Sequence, residues 1–538
     1  MALRYATPAQ GRIDTPLTIR HLLDANILSA AGRTIGYRDA LRYEYRELRR
    51  RIGRLASALA KLGAGQGTTV AILDWDSHRY LEHYFAVPMM GAVLQTVNIR
   101  LSPEQIRYTL THAGAEILIV HADFWPLIDT LRPDLPGVRA IVAIGEERTD
   151  VPAWAVADYE ALLAEADPGF AFVDFDENAL ATTFYTSGTT GLPKQVCFSH
   201  RQLVLHTLAL GTALGTRKGL GLRADDVYMP LTPMFHVHAW GLPYLATMLG
   251  LKQHYPGRYE ADAILRWRAA EGVTFSHGVP TVLQMVLGEA AKQDARLDGW
   301  QMLVGGSALT RELADAARAR GMTIAAGYGM SETGPVISIG EESADPYSVV
   351  RSGKPIPLVS AAIVDEEMRF QPADDEAVGE LVLRAPWLTP SYPGEEAAST
   401  ALWQGGWLHT QDIASIDPGG SIRIRDRIKD VIKSGGEWIS SLTLEDLIAQ
   451  HPDVAEVAVV AIADPKWQER PAAVVVARPG TVPTREAIND LLSRSVEQGT
   501  ISRYALLDEV VIMDSLPKTG IGKVDKKALR ASLGARND

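Results

Sequence analysis

The stretch "TTFYTSGTTGLPKQVCFSH", Thr182 to His200, decides how the rest of the chain is read. Eight of the thirteen residues from Thr182 to Lys194 are Ser, Thr or Gly, and Lys194 follows Pro193. Leu180–Tyr185 and Lys194–Phe198 read as strands, so "TSGTTGLPK" joins two strands. Ser199 and Gln202 then have the spacing of a capping box and open a helix. Glycines let backbone N–H groups converge, and Ser/Thr hydroxyls add donors, so such a loop suits phosphate oxygens. Lys194 would add a point charge. The competing pattern, Gly-x-x-x-x-Gly-Lys-Ser/Thr, needs a helix after its lysine and a hydroxyl for magnesium. Here Lys194 follows proline, Gln195 comes next, and a strand continues, so that pattern fails on residue type and context. An exposed Gly/Ser/Thr turn is the bland alternative, and this loop alone leaves it open.

The 538 residues exceed what one core usually holds, so more than one domain is expected. With 46% hydrophobic and 22% charged residues the composition is that of a globular protein. A net charge of −12, from 53 basic and 65 acidic residues, repels polyphosphate backbones and argues against nucleic acid. Cys197 has no second cysteine to pair with, which fits a reducing compartment. Arg4, Arg12 and Asp14 fall where a signal peptide needs an apolar run, and no window reads as a membrane span. A soluble cytoplasmic protein is expected.

Short apolar runs alternate with helical patterns: Thr69–Asp74, Ala92–Asn98, Glu116–Val120 and Ala140–Gly145 read as strands. Before the first, Leu48, Ile52, Leu55, Leu59 and Leu62 mark one helix face, and Arg46, Arg49, Arg50 and Arg54 the solvated face. This alternation predicts a large α/β domain of mostly parallel sheets flanked by helices. The texture changes at "RIRDRIKDVIKSGGEWISS", Arg423 to Ser441. Two strands, a helix from about Thr484 and a last strand follow, which is enough for a small α+β domain. The expected division is 1–428 and 429–538, with a hinge at Lys429.

Further motifs follow the loop in order: "PMFHVHAWG" from Pro233, "GGSAL" from Gly305, "GYGMSETGP" from Gly327, "GWLHTQD" from Gly406, "DRIKDVIKSGGEWIS" from Asp426 and "LPKTGIGK" from Leu516. Together with "YTSGTTGLPK" they resemble the adenylate-forming superfamily of acyl-CoA synthetases, luciferases and adenylation domains, most of all medium- and long-chain fatty-acyl-CoA synthetases. The likeness runs from Pro16 to Lys527.

The resemblance implies a two-step ligase that takes a small carboxylic acid, ATP with Mg2+, and coenzyme A. The carboxylate attacks the α-phosphorus and releases pyrophosphate, and a thiol then displaces AMP. Joining two anions makes charge neutralisation the main catalytic task. By the same resemblance Lys523 bridges carboxylate and α-phosphate, while Lys194 and the loop residues Thr186, Ser187, Gly188, Thr189, Thr190 and Gly191 hold phosphates. Glu332 and Thr186 hold Mg2+, and Ser331 contacts the α-phosphate. Tyr328, between Gly327 and Gly329, lies along adenine. Asp412 and Arg427 take the ribose, Lys429 stands at the hinge and borders the nucleotide site, and Lys433 and Trp438 contact the adenylate from beyond it. His236 borders the carboxylate, with Val237, Gly305 and Gly306 along the acyl-adenylate, and Trp240 gates an acyl tunnel. His238 reads as core. The expected assembly is a homodimer.

Two glycines usual in this family are absent. Gln195 follows Lys194, and would be strained at positive φ but not in a strand. Gln411 stands in "HTQD" and leaves the geometry of that turn open. Two readings compete with the CoA ligase: an adenylate former with another acceptor, and a silent nucleotide-binding protein. A short thio-acid such as methylthiopropionate is an alternative substrate.

Overall fold

The computed structural model describes residues 3–24, 27, 29–146, 148, 150–186, 192–435, 437–519 and 523–537, with 534–537 by backbone alone. Ser187, Gly188, Thr189, Thr190 and Gly191 therefore lie outside the described residues.

Two large sheets build the N-terminal domain. One has seven strands, in the order 157–158, 140–144, 115–121, 69–73, 93–96, 180–186 and 194–199. All its pairs are parallel except the last, the hairpin that carries the hydroxyl-rich loop. The other has nine strands, and its central run, 323–329, 301–305, 275–278, 227–230, 252–255 and 34–37, is parallel. Strands buried on both faces need unbroken apolar runs, and "TVAIL" at 69–73 is buried at every position. Helix 45–61 packs Leu48, Ile52, Leu55 and Leu59 into the core at 0% exposure, each contributing roughly 1.5–3 kcal/mol. On its outer face Arg49 pairs with Asp24 at 3.1 Å and Arg54 with Glu47 at 2.7 Å, as a solvated face allows.

An antiparallel four-stranded sheet, 360–364, 379–384, 408–416 and 422–427, ends at a turn over 428–430. Beyond it lies the small C-terminal domain. Strands 437–439, 432–434, 468–477 and 454–464 form its sheet, and 509–512 joins parallel to 468–477. Helices 441–449 and 485–497 cover one core and helix 526–537 another. Among the described residues no helix is long and apolar enough to cross a membrane.

Candidate active site

The hairpin 180–199 sets one wall. Thr186 pairs in register with Lys194, and Ser199 makes the capping box with Gln202 that starts helix 200–216. Gln195 lies in the strand opposite Tyr185, and its side-chain amide donates to Thr183 Oγ1 at 3.0 Å. The lost glycine thus costs no backbone strain at this position.

Opposite stand the ends of two parallel strands, where Gly305 and Gly327 are register partners. A Cβ on Gly305 would lie 2.6 Å from the Gly327 carbonyl and 3.1 Å from Trp240 Cη2, so only glycine lets the indole rest there. Gly306 has φ +84°, and a Cβ on it would lie 3.6 Å from Lys523 Cε. Lys523 comes from the C-terminal domain, yet it reaches this cleft. Burial, then the nearby Arg427 guanidinium, lowers its ammonium to about 8, while Asp412 and Glu332 work the other way. Burial, and next the charge of Lys523, pushes the His236 imidazolium down to about 3, so His236 is neutral at pH 7.

The ribose candidates meet as well. Arg427 Nε stands 3.3 Å from Asp412 Oδ1, and the Tyr328 hydroxyl donates to Asp412 Oδ2 at 2.5 Å. Burial raises the Asp412 carboxyl despite these partners. Gln411, just before it, has φ +61°, the left-handed conformation that glycine takes freely. Glu380 supports it by accepting the Gln411 N–H at 2.9 Å and its side-chain amide at 3.2 Å.

Glu332 lies in a short 3-10 turn, Ser331–Thr333, and is buried. Its Oε1 accepts the Tyr392 hydroxyl at 2.6 Å, and the ring of that tyrosine takes Lys194 Nζ at 4.8 Å. Burial raises the Glu332 carboxyl, with Arg427 and Lys194 among the cations that oppose this. One carboxylate with the Thr186 hydroxyl suits a hard cation that completes its shell with water and phosphate oxygens, so the donor set fits Mg2+. Tyr392 escaped the sequence reading because a lone tyrosine between Ser391 and Pro393 carries no motif.

The motif "PMFHVHAWG" takes a backbone that L-residues rarely adopt. Val237, His238, Ala239, Trp240 and Gly241 have φ of 48, 52, 46, 61 and 75°, one turn of left-handed helix. The His236 carbonyl accepts the Ala239 N–H at 3.1 Å and the His238 carbonyl that of Gly241 at 3.0 Å. His238 is core, as expected: its ring stands edge-on to Tyr84 and Phe184, and burial keeps it neutral. Lys429 lies exposed in the 428–430 turn. Lys433 and Trp438 face each other across an exposed hairpin, with the ammonium 5.2 Å from the ring.

The AMP-binding enzyme family model matches residues 26–393, and its C-terminal domain model matches 443–523. A long-chain-fatty-acid–CoA ligase of Thermus thermophilus is 44% identical over 502 residues, covering 91% of this chain and 90% of that protein. A 3-methylmercaptopropionyl-CoA ligase of Ruegeria lacuscaerulensis is 37% identical, covering 89% of each. Among solved structures, the anthranilate CoA ligase AuaEII in complex with anthranoyl-AMP superposes with a TM-score of 0.86 at 25% identity, covering 97% of this chain and 99% of that one. A cleft built from these ordered motifs and matched over nearly the full length leaves one conclusion: the chain belongs to the AMP-binding, adenylate-forming enzyme family.

Proposed function

We propose that the chain is an ATP-dependent acid–CoA ligase that works through acyl-AMP, with an aliphatic carboxylate as its acid. The observation that carries this reading is Lys523, a C-terminal-domain cation set against Gly306, beside Trp240 and His236. In the first step a carboxylate oxygen bonds to the α-phosphorus of ATP and the bond to pyrophosphate breaks. Lys523 holds the carboxylate and α-phosphate together and offsets the charge that builds between them. The neutral His236 borders the carboxylate without competing for it as a second cation. Asp412 and Arg427 hold the ribose, Tyr328 lies along adenine, and Lys194 with the hydroxyl-rich loop holds phosphates. Glu332 and Thr186 would hold Mg2+, which neutralises phosphate charge when bound. In the second step the coenzyme A thiol attacks the acyl carbonyl and AMP leaves.

Both steps need the same cleft, so the small domain must move between them. Residues 1–428 and 429–538 are the two rigid parts and Lys429 the hinge. Contacts that cross between them include Arg478–Glu312 at 2.6 Å, an exposed ion pair worth roughly 0–1 kcal/mol, which suits a domain that lets go. The relatives named above differ in their acids, and Trp240, laid across Gly305, is the residue placed to choose among them. The protein works in the cytoplasm as a homodimer on this reading.

The experiment is pyrophosphate release with ATP and Mg2+ over an acid panel from butyrate to palmitate, with 3-methylmercaptopropionate and benzoate, with and without coenzyme A. Acid-dependent pyrophosphate, with AMP and a thioester formed only when coenzyme A is present, is expected. Release without any thioester would point to another acceptor, and no release with any acid would overturn the proposal.

A further inference from the structure

Left-handed residues other than glycine cost roughly 1–2 kcal/mol each, so the turn at 237–241 must be held from outside. The two residues before His236 are held that way. Asp76 Oδ1 accepts the Met234 N–H at 2.7 Å. The Tyr84 hydroxyl donates to the Met234 carbonyl at 2.5 Å, and the Thr96 hydroxyl donates to the Phe235 carbonyl at 2.9 Å. Both polar groups of one peptide residue and one of the next are therefore committed to side chains far away in sequence. The three side chains are buried, at 6%, 0% and 1% exposure, and each is set by its own element. Asp76 follows strand 69–73, and its carbonyl accepts the Gly257 N–H at 2.7 Å. Tyr84 lies on helix 78–89, which Ser77 caps, and Thr96 ends strand 93–96.

We propose that Asp76, Tyr84 and Thr96 form a clamp of positioning residues that keeps the turn left-handed and so fixes where His236 and Trp240 meet the acid. They act through the backbone of Met234 and Phe235, not on substrate. Burial pushes the Asp76 carboxyl up to about 7, against the Met234 N–H and Arg100, which favour its charged form. The turn needs an acceptor oxygen, and an asparagine could supply it.

This rests on the ligase reading. The test compares Asp76→Ala, Asp76→Asn and Thr96→Val in the full chain, by pyrophosphate release with ATP and each acid varied in turn. Asp76→Ala is expected to lower kcat/KM for the acid about tenfold or more, as a small misplacement near the reacting atoms does, and to change the ratio between short and long acids. The KM for ATP should stay near the parent value. Asp76→Asn should recover the acid term, and Thr96→Val should show a weaker form of the Ala pattern. Hydrogen exchange of peptides over 234–241, without any substrate, should speed up in Asp76→Ala and not in Asp76→Asn. If the parent protein releases no pyrophosphate with any acid, the ligase reading fails, and the exchange experiment still judges the clamp. An active parent with Asp76→Ala unchanged in acid KM and exchange would overturn the clamp. So would Asp76→Asn as damaged as Asp76→Ala, or equal losses for ATP and acid. If Asp76→Ala does not fold, Thr96→Val decides by the same acid-against-ATP comparison and the same peptides.

Discussion

Lys523 gives the sharpest pH test. Its ammonium is lowered to about 8 from the ordinary 10.5, first by burial and then by Arg427. In the proposed mechanism the active form is protonated, so the sign is fixed: activity is expected below that value and is lost as pH rises through it. At pH 7 roughly nine-tenths of the free enzyme carries the charge and at pH 9 roughly one-tenth, so kcat/KM for adenylation should fall about tenfold between them. Bound ATP adds negative charge beside the ammonium and raises its pKa, so kcat should break at higher pH than kcat/KM. The assay is ATP–pyrophosphate exchange with acid but without coenzyme A, whose own thiol ionises in this range. Lys523→Ala should lose about 10²–10³ in rate and show no break near 8. Lys523→Arg keeps its charge throughout, so its profile should be flat there, though lower, because a planar fork does not replace an ammonium. A parent profile flat to pH 9.5, or the same break in Lys523→Arg, would remove Lys523 as the titrating group and point instead to a neighbour such as Lys429.

Trp240→Ala should open the space over Gly305 and flatten the preference among acid lengths, because each buried methylene is worth about 0.8 kcal/mol; kcat/KM from butyrate to palmitate checks it, and constant ratios would dismiss the gate. Asp412→Ala should raise the ATP KM by about 10- to 150-fold, for a charge-assisted pairing of roughly 1.5–3 kcal/mol, and leave the acid KM alone. Lys429→Pro fixes φ near −65°, so acyl-AMP formation should persist while thioester formation slows; equal losses in separate half-reaction assays would refute a hinge there. Asp76 has a folded pKa raised to about 7 from 3.8, so its favourable contribution exists at low pH and is lost as pH climbs through that window. Asp76→Asn should therefore melt near the parent at low pH and gain up to ~4 kcal/mol over it at pH 8, read from denaturant curves at the two pH values.

The parts of this protein visible in its sequence are those set by local chemistry. The hairpin at 180–199 and its capping box follow from strand-forming residues and a Ser/Gln pair, and the structure has both. Chain order of the motifs was enough to nominate Lys523, Asp412, Arg427 and Glu332, and the fold brings their charges within reach of one another. Gln195 could be reasoned through, because a strand forgives a lost glycine. Gln411 could not, since its support comes from Glu380 on another strand. Tyr392 and Asp76 were silent for the same reason: their partners, Glu332 and Met234, are 60 and 158 residues away. The left-handed turn runs against local preference altogether, for valine at φ 48° is what propensity argues against.

That turn also bears on how the enzyme could be evolved. A glycine at Ala239 would release backbone strain for the loss of one methyl, whereas at Val237, His238 or Trp240 it would also empty a buried site at greater cost. Variants picked for heat resistance alone would therefore favour a glycine at Ala239, where only a methyl is lost, and it would loosen the segment that presents His236 and Trp240. Selection for stability and selection for turnover pull that position in opposite directions. A campaign to accept new acids should hold this backbone fixed and vary the side chains packed around it, so that the shape of the pocket changes while the handedness of its rim does not.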